Sequence, residues 1–438
     1  MNLNEGQRAA YDSICAGKSI FLTGPGGTGK SFLINQIYET LDTQGKCIAL
    51  TAMTGCAALL LHSKAKTLHS WAGIGLGTDS VPLLISKVRK SRRSAVRWLK
   101  TDILVIDEVS MMTPDLFEKL DELGKKVRRN ERPFGGLQLV LVGDFFQLPP
   151  ISRDTQTAFV FESPVWNTLG LVKHDLTEIV RQKDPIFQGI LNEARRGALT
   201  KASMKILRKR MNIDYTGLEI KPTMLFTRRA EVDQINMSHL RKLCEPDERR
   251  VFTPLTAFHP TKPTQGLDLK SPEVLDAIKV LDNNASYSRE LILAKGAQVM
   301  LLANLNPEAG LVNGSRGVVV GFQPTDSSPE LVPLVKFKSC EMLIGYHSWD
   351  IADFPGIIRK QIPLRLAYAV TIHKAQGATL DCALIDVGGR TFEYGQAYVA
   401  LSRLKDLESL YIHDLDVTAF RAHPKVLEFY ATDLTSHS

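Results

Sequence analysis

Gly24-Pro25-Gly26-Gly27-Thr28-Gly29-Lys30-Ser31 fills every fixed position of the phosphate-binding pattern G-x-x-x-x-G-K-[ST]. Its flanks are what that pattern requires. Ser19-Ile20-Phe21-Leu22-Thr23 reads as a buried strand, and Phe32-Leu33-Ile34-Asn35-Gln36-Ile37 opens a helix with Leu33, Ile37 and Leu41 on one face. Glycines at 26, 27 and 29 let backbone N–H groups around Thr28 wrap phosphate oxygens at a helix N-terminus. Lys30 then offers a point charge to the β- and γ-phosphates, and the Ser31 hydroxyl is placed to ligate Mg²⁺. A nucleoside triphosphate with its cation belongs in this loop.

Working outward, 438 residues exceed what one compact core holds and suggest roughly two to four domains. A hydrophobic content of 44% and a charged content of 23% are ordinary for a globular chain, and the net charge of +7 leans toward a polyanionic partner. Cys15, Cys47, Cys56, Cys244, Cys340 and Cys382 form no C-x-x-C pair, which points away from a zinc centre or a disulfide framework and toward a reducing compartment. Met1 to Gln7 has no basic n-region or apolar h-region, and the apolar run Ile48 to Leu61 is broken by Thr51, Thr54 and Gly55. A cytoplasmic protein, nucleoid-associated if bacterial, with no membrane partner is the expectation.

Along the chain, Gln7 taken alone is a surface glutamine in a short amphipathic start. Cys47 to Thr51 is a second buried strand, and Thr54-Gly55-Cys56-Ala57-Ala58 after it reads as a tight turn. His69 and Trp71 sit beside Gly73 and Gly75, where the aromatic pair either stacks a base, worth about 1–3 kcal/mol, or packs on the core. Residues 87–100 hold seven basic side chains and no acid, the composition of a nucleic-acid contact rather than of an ordinary mixed-charge surface. Ile103-Leu104-Val105-Ile106-Asp107-Glu108 is an apolar strand ending in two carboxylates, one suited to the Mg²⁺ shell and one to orienting or deprotonating a water. Leu137 to Val142 is a further strand, followed by Gly143-Asp144-Phe145-Phe146-Gln147-Leu148-Pro149-Pro150, where Gln147 is placed to touch a γ-phosphate. Strands alternating with helices and carrying reactive residues at their carboxyl ends predict a parallel α/β sheet. A second α/β unit is expected from about residue 170, with strands at 223–226, 297–302 and 383–387, and short strands near 317–322 and 334–337 suggest a small inserted barrel. Residues 253–290 read as Pro- and Asp-rich loops.

The order of Asp107-Glu108-Val109-Ser110-Met111 and Gly143 to Pro150 after the phosphate loop resembles superfamily 1 helicases. The segment between them, Met112 to Asp121 and then Arg128-Arg129-Asn130-Glu131-Arg132-Pro133-Phe134-Gly135-Gly136, resembles the signature of the petite-integration-frequency (Pif) type DNA helicases. That family lies in the 5′-to-3′ branch, superfamily 1B, with RecD-like enzymes, and the resemblance runs from about Leu3 to Tyr430. It implies an α/β fold of two RecA-like P-loop domains. The first, 1–170, carries a small basic insertion at about 76–100; the second, 171–438, carries an SH3-like β insertion at about 305–366.

On matching positions, the resemblance makes Gln7 the reader of the adenine edge, Asp107 the Mg²⁺-shell acid, Glu108 the catalytic base and Gln147 the γ-phosphate sensor. Arg181 and Arg403 match arginines that reach the γ-phosphate across an interdomain cleft, a role worth about 10³–10⁵ in rate in other nucleotidases. In Thr371-Ile372-His373-Lys374-Ala375-Gln376-Gly377-Ala378-Thr379, His373, Lys374 and Thr379 would meet single-stranded DNA while Gln376 and Gly377 face nucleotide; Ala375 stands where relatives often have serine. Thr54, His69 and Trp71 match DNA-contacting motifs of the first domain. The implied activity is ATP-dependent, 5′-to-3′ unwinding of duplex, forked or G-quadruplex DNA by a monomer, with roles in replication, repair, recombination and telomere maintenance. The alternative is a DNA-remodelling P-loop ATPase without processive unwinding. A nucleotide kinase fits less well, because Asp107-Glu108 suits water attack.

Overall fold

The computed structural model describes residues 3–62, 64–150, 157–226, 228–243, 245, 248–306, 308–325, 328–338, 340–351, 354–389 and 393–432. They fall into two compact units, the first taking Met1–Ser203, Phe392–Ser402 and Val417–Ser438, the second Met204–Thr391 and Arg403–Asp416.

The first unit opens with α1 (Glu5–Cys15), whose N-cap Asn4 accepts from the Gln7 N–H (2.9 Å) while Gln7 Oε1 accepts from the Asn4 N–H (3.3 Å). Among the described residues its strands are β1 (Ile20–Thr23), β2 (Ile48–Ala52), β3 (Lys66–Thr67), β4 (Ile103–Asp107), β5 (Gln138–Val142) and β6 (Val172–Asp175). All pair in parallel, in the order β3-β2-β4-β5-β1-β6. Helices α2 (Lys30–Thr43), α3 (Gly55–Leu61), α4 (Leu68–Ala72), α5 (Val81–Lys90), α6 (Arg92–Lys100), α7 (Pro114–Arg128), α8 (Pro164–Thr168) and α9 (Pro185–Arg196) follow in chain order, and α10 (Lys201–Arg208) begins in this unit and ends in the second.

The strands read as unbroken apolar runs because both faces are covered. Successive side chains alternate between two cores: Phe21, Leu104, Ile106, Leu139 and Leu141 enter one, and Ile20, Leu22, Ile103, Val105, Val140 and Val142 the other. Leu33, Ile34, Ile37, Tyr38 and Leu41 of α2 cover the second face.

A single division at residue 170 does not describe these units. Val172–Asp175 pairs with β1 at the sheet's edge, Ile20 opposite Val172 and Thr23 opposite Asp175, so the first unit continues well past that point. Its aromatic core is completed from far along the chain. Phe429 lies 4.3 Å from Phe161 and 5.3 Å from Phe145 between ring centroids, and Tyr430 stacks on Phe146 at 4.8 Å.

The second unit runs β7 (Thr223–Phe226), α11 (Arg229–Leu243), β8 (Arg250–Phe252), β9 (Leu255–Phe258), α12 (Pro272–Asn284), β10 (Leu291–Leu293), β11 (Gln298–Leu301), β12 (Arg316–Thr325), β13 (Ser328–Phe337), β14 (Glu341–Leu343), β15 (His347–Ile351), β16 (Phe354–Gln361), β17 (Leu364–Leu366), β18 (Ala369–Thr371), α13 (Ile372–Ala375), β19 (Ala383–Val387) and β20 (Leu410–Leu415). Its parallel sheet has the order β18-β7-β19-β20. The β insertion is an antiparallel sheet, β14-β13-β12-β11-β17. Here the strand expected at 297–302 belongs to the insertion and not to the parallel core, since β11 pairs antiparallel with β12 and β17. Residues 253–290, expected as loops, contain β9 and α12. The start signal of α12 is Ser271-Pro272-Glu273, with the Ser271 hydroxyl accepting from the Val274 N–H.

Returning to the first unit, the chain adds α14 (Gln396–Leu401) and α15 (Pro424–Thr432). Among the described residues no helix is long and apolar enough to cross a membrane.

Candidate active site

The phosphate loop joins β1 to α2 through backbone that only glycine tolerates at two key points. Gly27 has φ +91°, and a Cβ there would stand 2.7 Å from Arg181 Cβ; Gly29 has φ +82°, and a Cβ there would stand 2.7 Å from Gln7 Nε2. Val180 and Arg181 both donate their N–H groups to the Gly27 carbonyl (2.9 and 3.1 Å), fastening the loop from outside. Within it, Lys30 Nζ donates to the carbonyls of Gly24 (2.7 Å) and Pro25 (2.9 Å), and Thr28 Oγ1 donates to Pro25 O (3.0 Å). The ammonium is thereby held across the loop's mouth. Burial lowers the Lys30 pKa, opposed by the carboxylates of Asp144 and Glu108.

Gln7 is buried, and its Nε2 donates to the Thr28 carbonyl (3.2 Å). It is therefore a bracing side chain for the loop, which its position in an amphipathic start does not show.

At the end of β4, Asp107 is buried and its Oδ1 accepts from the Glu108 N–H (2.9 Å). Burial, with the Glu108 carboxylate beside it, pushes the Asp107 carboxyl up to about 7. Glu108 itself sits in the left-handed region (φ 56°, ψ 41°), an unusual conformation for a non-glycine residue and one found at functional sites. Ser31, exposed at the start of α2, adds a hydroxyl oxygen, so the donors present are hard oxygens of the kind Mg²⁺ takes, and the residues fit that cation.

Beneath the loop lies a buried polar chain that motif reading alone does not reveal. The Asp144 carboxylate, fully buried, accepts from Arg195 Nε (3.0 Å) and Nη2 (2.9 Å). Burial pushes the Arg195 guanidinium down, but Asp144 outweighs it and holds the group above its ordinary range. The guanidinium also lies 4.6 Å over the Phe146 ring and 5.5 Å over that of Tyr430. Tyr430 Oη is 2.6 Å from Thr23 Oγ1 and accepts from the Phe145 N–H (3.3 Å). Asp144 stands in a quoted motif and offers a signal, an acid at the end of a buried strand; Arg195, one of two adjacent arginines ending α9, offers none.

Gln147, three residues after Asp144, is buried and donates its N–H to the Asp144 carbonyl (2.9 Å). Arg181, expected on the second domain, lies in the first unit with the loop; its Nη1 donates to the Ser402 carbonyl (3.0 Å). The reason is the extension of the first unit past β6.

Of the first-unit residues assigned to DNA, Thr54 caps α3, its hydroxyl accepting from the Ala57 N–H (3.1 Å). His69 is on α4 and its pKa is lowered by burial. Trp71 is a correction: its indole is buried, 4.6 Å from the ring of Trp98, so it packs in the core rather than offering a face to a base. In the basic stretch, Arg97 also serves structure, donating to the carbonyls of Trp71 (2.7 Å) and Ser70 (3.0 Å). Lys90, Arg92, Arg93 and Lys100 remain exposed.

In the second unit, His373 lies on α13, whose Lys374 side chain is outside the described residues. Gln376, buried, and Gly377, exposed at φ +80°, follow, then Thr379. Arg403 is buried with Nη1 3.5 Å from the Ala378 carbonyl, and its own carbonyl accepts from the Leu380 N–H (2.9 Å).

Comparison with known proteins identifies relatives of the chain. Residues 2–198 match the PIF1-like helicase family, and residues 277–322 match the 2B domain of the DNA helicase Pif1. The human ATP-dependent DNA helicase PIF1 is 39% identical over 98% of this chain, which spans 64% of that protein's length. The crystal structure of Pif1 helicase from Candida albicans superposes with a TM-score of 0.78 at 34% identity, covering 99% of both chains. A Bacteroides Pif1 helicase in complex with ADP-AlF3 and ssDNA has a TM-score of 0.70 at 27% identity, covering 100% of this chain and 98% of that one. A phosphate-loop sequence in its strand-loop-helix setting, an acid pair at the end of β4 and near-complete coverage at this identity place the chain in the PIF1-like helicase family.

Proposed function

We propose that this chain is an ATP-dependent DNA helicase that steps 5′-to-3′ along single-stranded DNA as a monomer and opens duplexes, forks or G-quadruplexes. The observation that carries the reading is the meeting of Lys30, Ser31, Asp107, Glu108 and Arg181 around one loop of the first unit. The relative bound to ADP-AlF3 and ssDNA supports both halves of it, nucleotide and strand. Among the described residues Cys15, Cys47, Cys56, Cys340 and Cys382 form no disulfide, which supports a reducing, cytoplasmic setting.

In this reading the loop N–H groups and Lys30 hold the β- and γ-phosphates, and Gln7 reads the adenine edge. Ser31 and Asp107 would hold Mg²⁺, which would neutralise charge on the phosphate oxygens. Glu108, in its strained conformation, orients and deprotonates the attacking water. Gln147 senses the γ-phosphate, Gln376 and Gly377 face nucleotide, and Arg181 and Arg403 bring cations to the transition state. Thr54, His69, His373, Lys374 and Thr379 contact the strand, while the exposed cations of α5 and α6 act near the fork.

ATPase rate with and without oligodeoxythymidine is the first test. Stimulation by the strand, lost in Lys30→Ala, is expected; a rate indifferent to the strand favours a remodelling ATPase. Duplexes carrying a 5′ or a 3′ tail then read direction, and preferential opening of the 3′-tailed substrate refutes the assigned polarity.

A further inference from the structure

The buried polar chain beneath the phosphate loop ends on the loop itself. Tyr398, on α14, is 2% exposed, and its hydroxyl accepts from the Gly26 N–H at 2.8 Å. The same hydroxyl donates toward Asp144 Oδ2 at 3.4 Å, and that carboxylate is gripped by Arg195. The sequence therefore runs Arg195, Asp144, Tyr398, Gly26, every member buried and every link polar. A hydroxyl serves here because one oxygen can accept from an amide and donate to a carboxylate at once. Gly26 stands two residues after Gly24 and one before Gly27, within the turn whose carbonyls at Gly24 and Pro25 hold Lys30. Fixing the Gly26 peptide plane fixes the direction of the carbonyl before it, Pro25 O, and hence one of the two anchors of the Lys30 ammonium.

The helix carrying Tyr398 is itself secured: its C-terminal neighbour Ser402 presents its carbonyl to Arg181 Nη1 (3.0 Å) and Gln182 Nε2 (3.3 Å). Arg181 also donates its backbone N–H to Gly27 (3.1 Å), so the loop is held from both sides by the same local framework.

We propose that Tyr398 is a positioning residue for nucleotide binding, acting through the Gly26 amide to pre-set the phosphate loop and the Lys30 ammonium before triphosphate arrives. Resting on the assignment of the loop to ATP, it predicts that Tyr398→Phe weakens nucleotide uniformly: the Kd for a non-hydrolysable ATP analogue and the KM for ATP both rise about tenfold, the weight of one buried hydrogen bond. Since the same interaction is present in ground and transition states, kcat stays within about twofold.

The experiment measures analogue binding, steady-state ATPase with oligodeoxythymidine, and hydrogen–deuterium exchange of the peptide spanning residues 24–31, in wild type and Tyr398→Phe without nucleotide. Faster exchange in that peptide with a raised Kd supports the proposal. An unchanged or tighter Kd overturns it, even where the variant is less thermally stable, because a purely structural tyrosine lowers stability without touching affinity. Should the variant fail to fold, exchange in wild type decides: a loop amide pattern in 24–31 as fast as in an open coil overturns the proposal, and protection supports it. A wild type that neither binds nor hydrolyses ATP defeats the assignment of the loop instead.

Discussion

Replacing Arg195 by methionine tests the buried framework directly. The variant keeps much of the side chain's length and removes its charge, leaving the Asp144 carboxylate with 0% side-chain exposure beside an apolar neighbour. Breaking one half of a buried ion pair costs about 3–5 kcal/mol, because the remaining charge loses its partner and cannot reach water. Loss of the guanidinium from above Phe146 and Tyr430, at 4.6 and 5.5 Å, adds about 0.5–2 kcal/mol. Summed, a destabilisation of about 3.5–7 kcal/mol is expected in the first unit. Urea unfolding followed by tryptophan fluorescence reports it, since Trp71, Trp98 and Trp166 lie in that unit; a Trp349→Phe background silences the other. The double variant Asp144→Asn with Arg195→Met removes both charges and should recover a large part of the loss. A single-variant effect below about 1 kcal/mol, or a double variant no more stable than the single, refutes the assignment of a buried, mutually dependent pair.

Three further outcomes are expected. Gly27→Ala places a methyl 2.7 Å from Arg181 Cβ and 2.9 Å from Gln182 Oε1 at φ +91°, so nucleotide affinity should fall at least tenfold in an equilibrium binding assay, and wild-type affinity would be incompatible with the loop geometry. Asp107, with its folded-state carboxyl raised to about 7, is protonated in the folded and ionised in the unfolded chain between the ordinary carboxylate range and pH 7, so stability falls as pH rises through that window and then levels. Asp107→Asn lacks this loss, and in chelator without nucleotide its melting-temperature advantage should grow from pH 5 to pH 8; a constant difference contradicts the shift. Trp71→Ala should cost about 3–5 kcal/mol of stability in denaturant titration, because the indole is buried against Trp98, and a neutral effect would return Trp71 to the surface.

What was legible in the sequence is local and apolar. β1, β4 and β5 announce themselves because sheets covered on both faces need continuous apolar runs, and the phosphate loop does because its residue types are dictated over eight consecutive positions. Val172-Lys173-His174-Asp175 hides its strand, being an edge with only half-buried and exposed side chains, and so the extent of the first unit is hidden too. Trp71 beside glycines looks the same to a sequence reader whether it stacks a base or fills a core; its burial against Trp98 decides the matter only in three dimensions. At the site, Lys30, Ser31, Asp107 and Glu108 are visible as motif members. The partners that hold them are not, because the Gly26–Tyr398 hydrogen bond spans 372 residues and the Tyr430–Thr23 hydrogen bond 407.

That separation bears on how the molecule is made. Phe21, Phe145, Phe161 and Trp166 are synthesised early, yet the rings of Phe429 and Tyr430 that cover them emerge more than two hundred residues after α9 ends. At about 5–20 residues per second a ribosome takes roughly 10 to 40 s to cross that gap. Throughout that interval the nascent chain presents an aromatic patch to its surroundings, sticky toward chaperones and toward other unfinished copies. Messages truncated between the end of α9 and Pro424 should therefore yield polypeptide that aggregates.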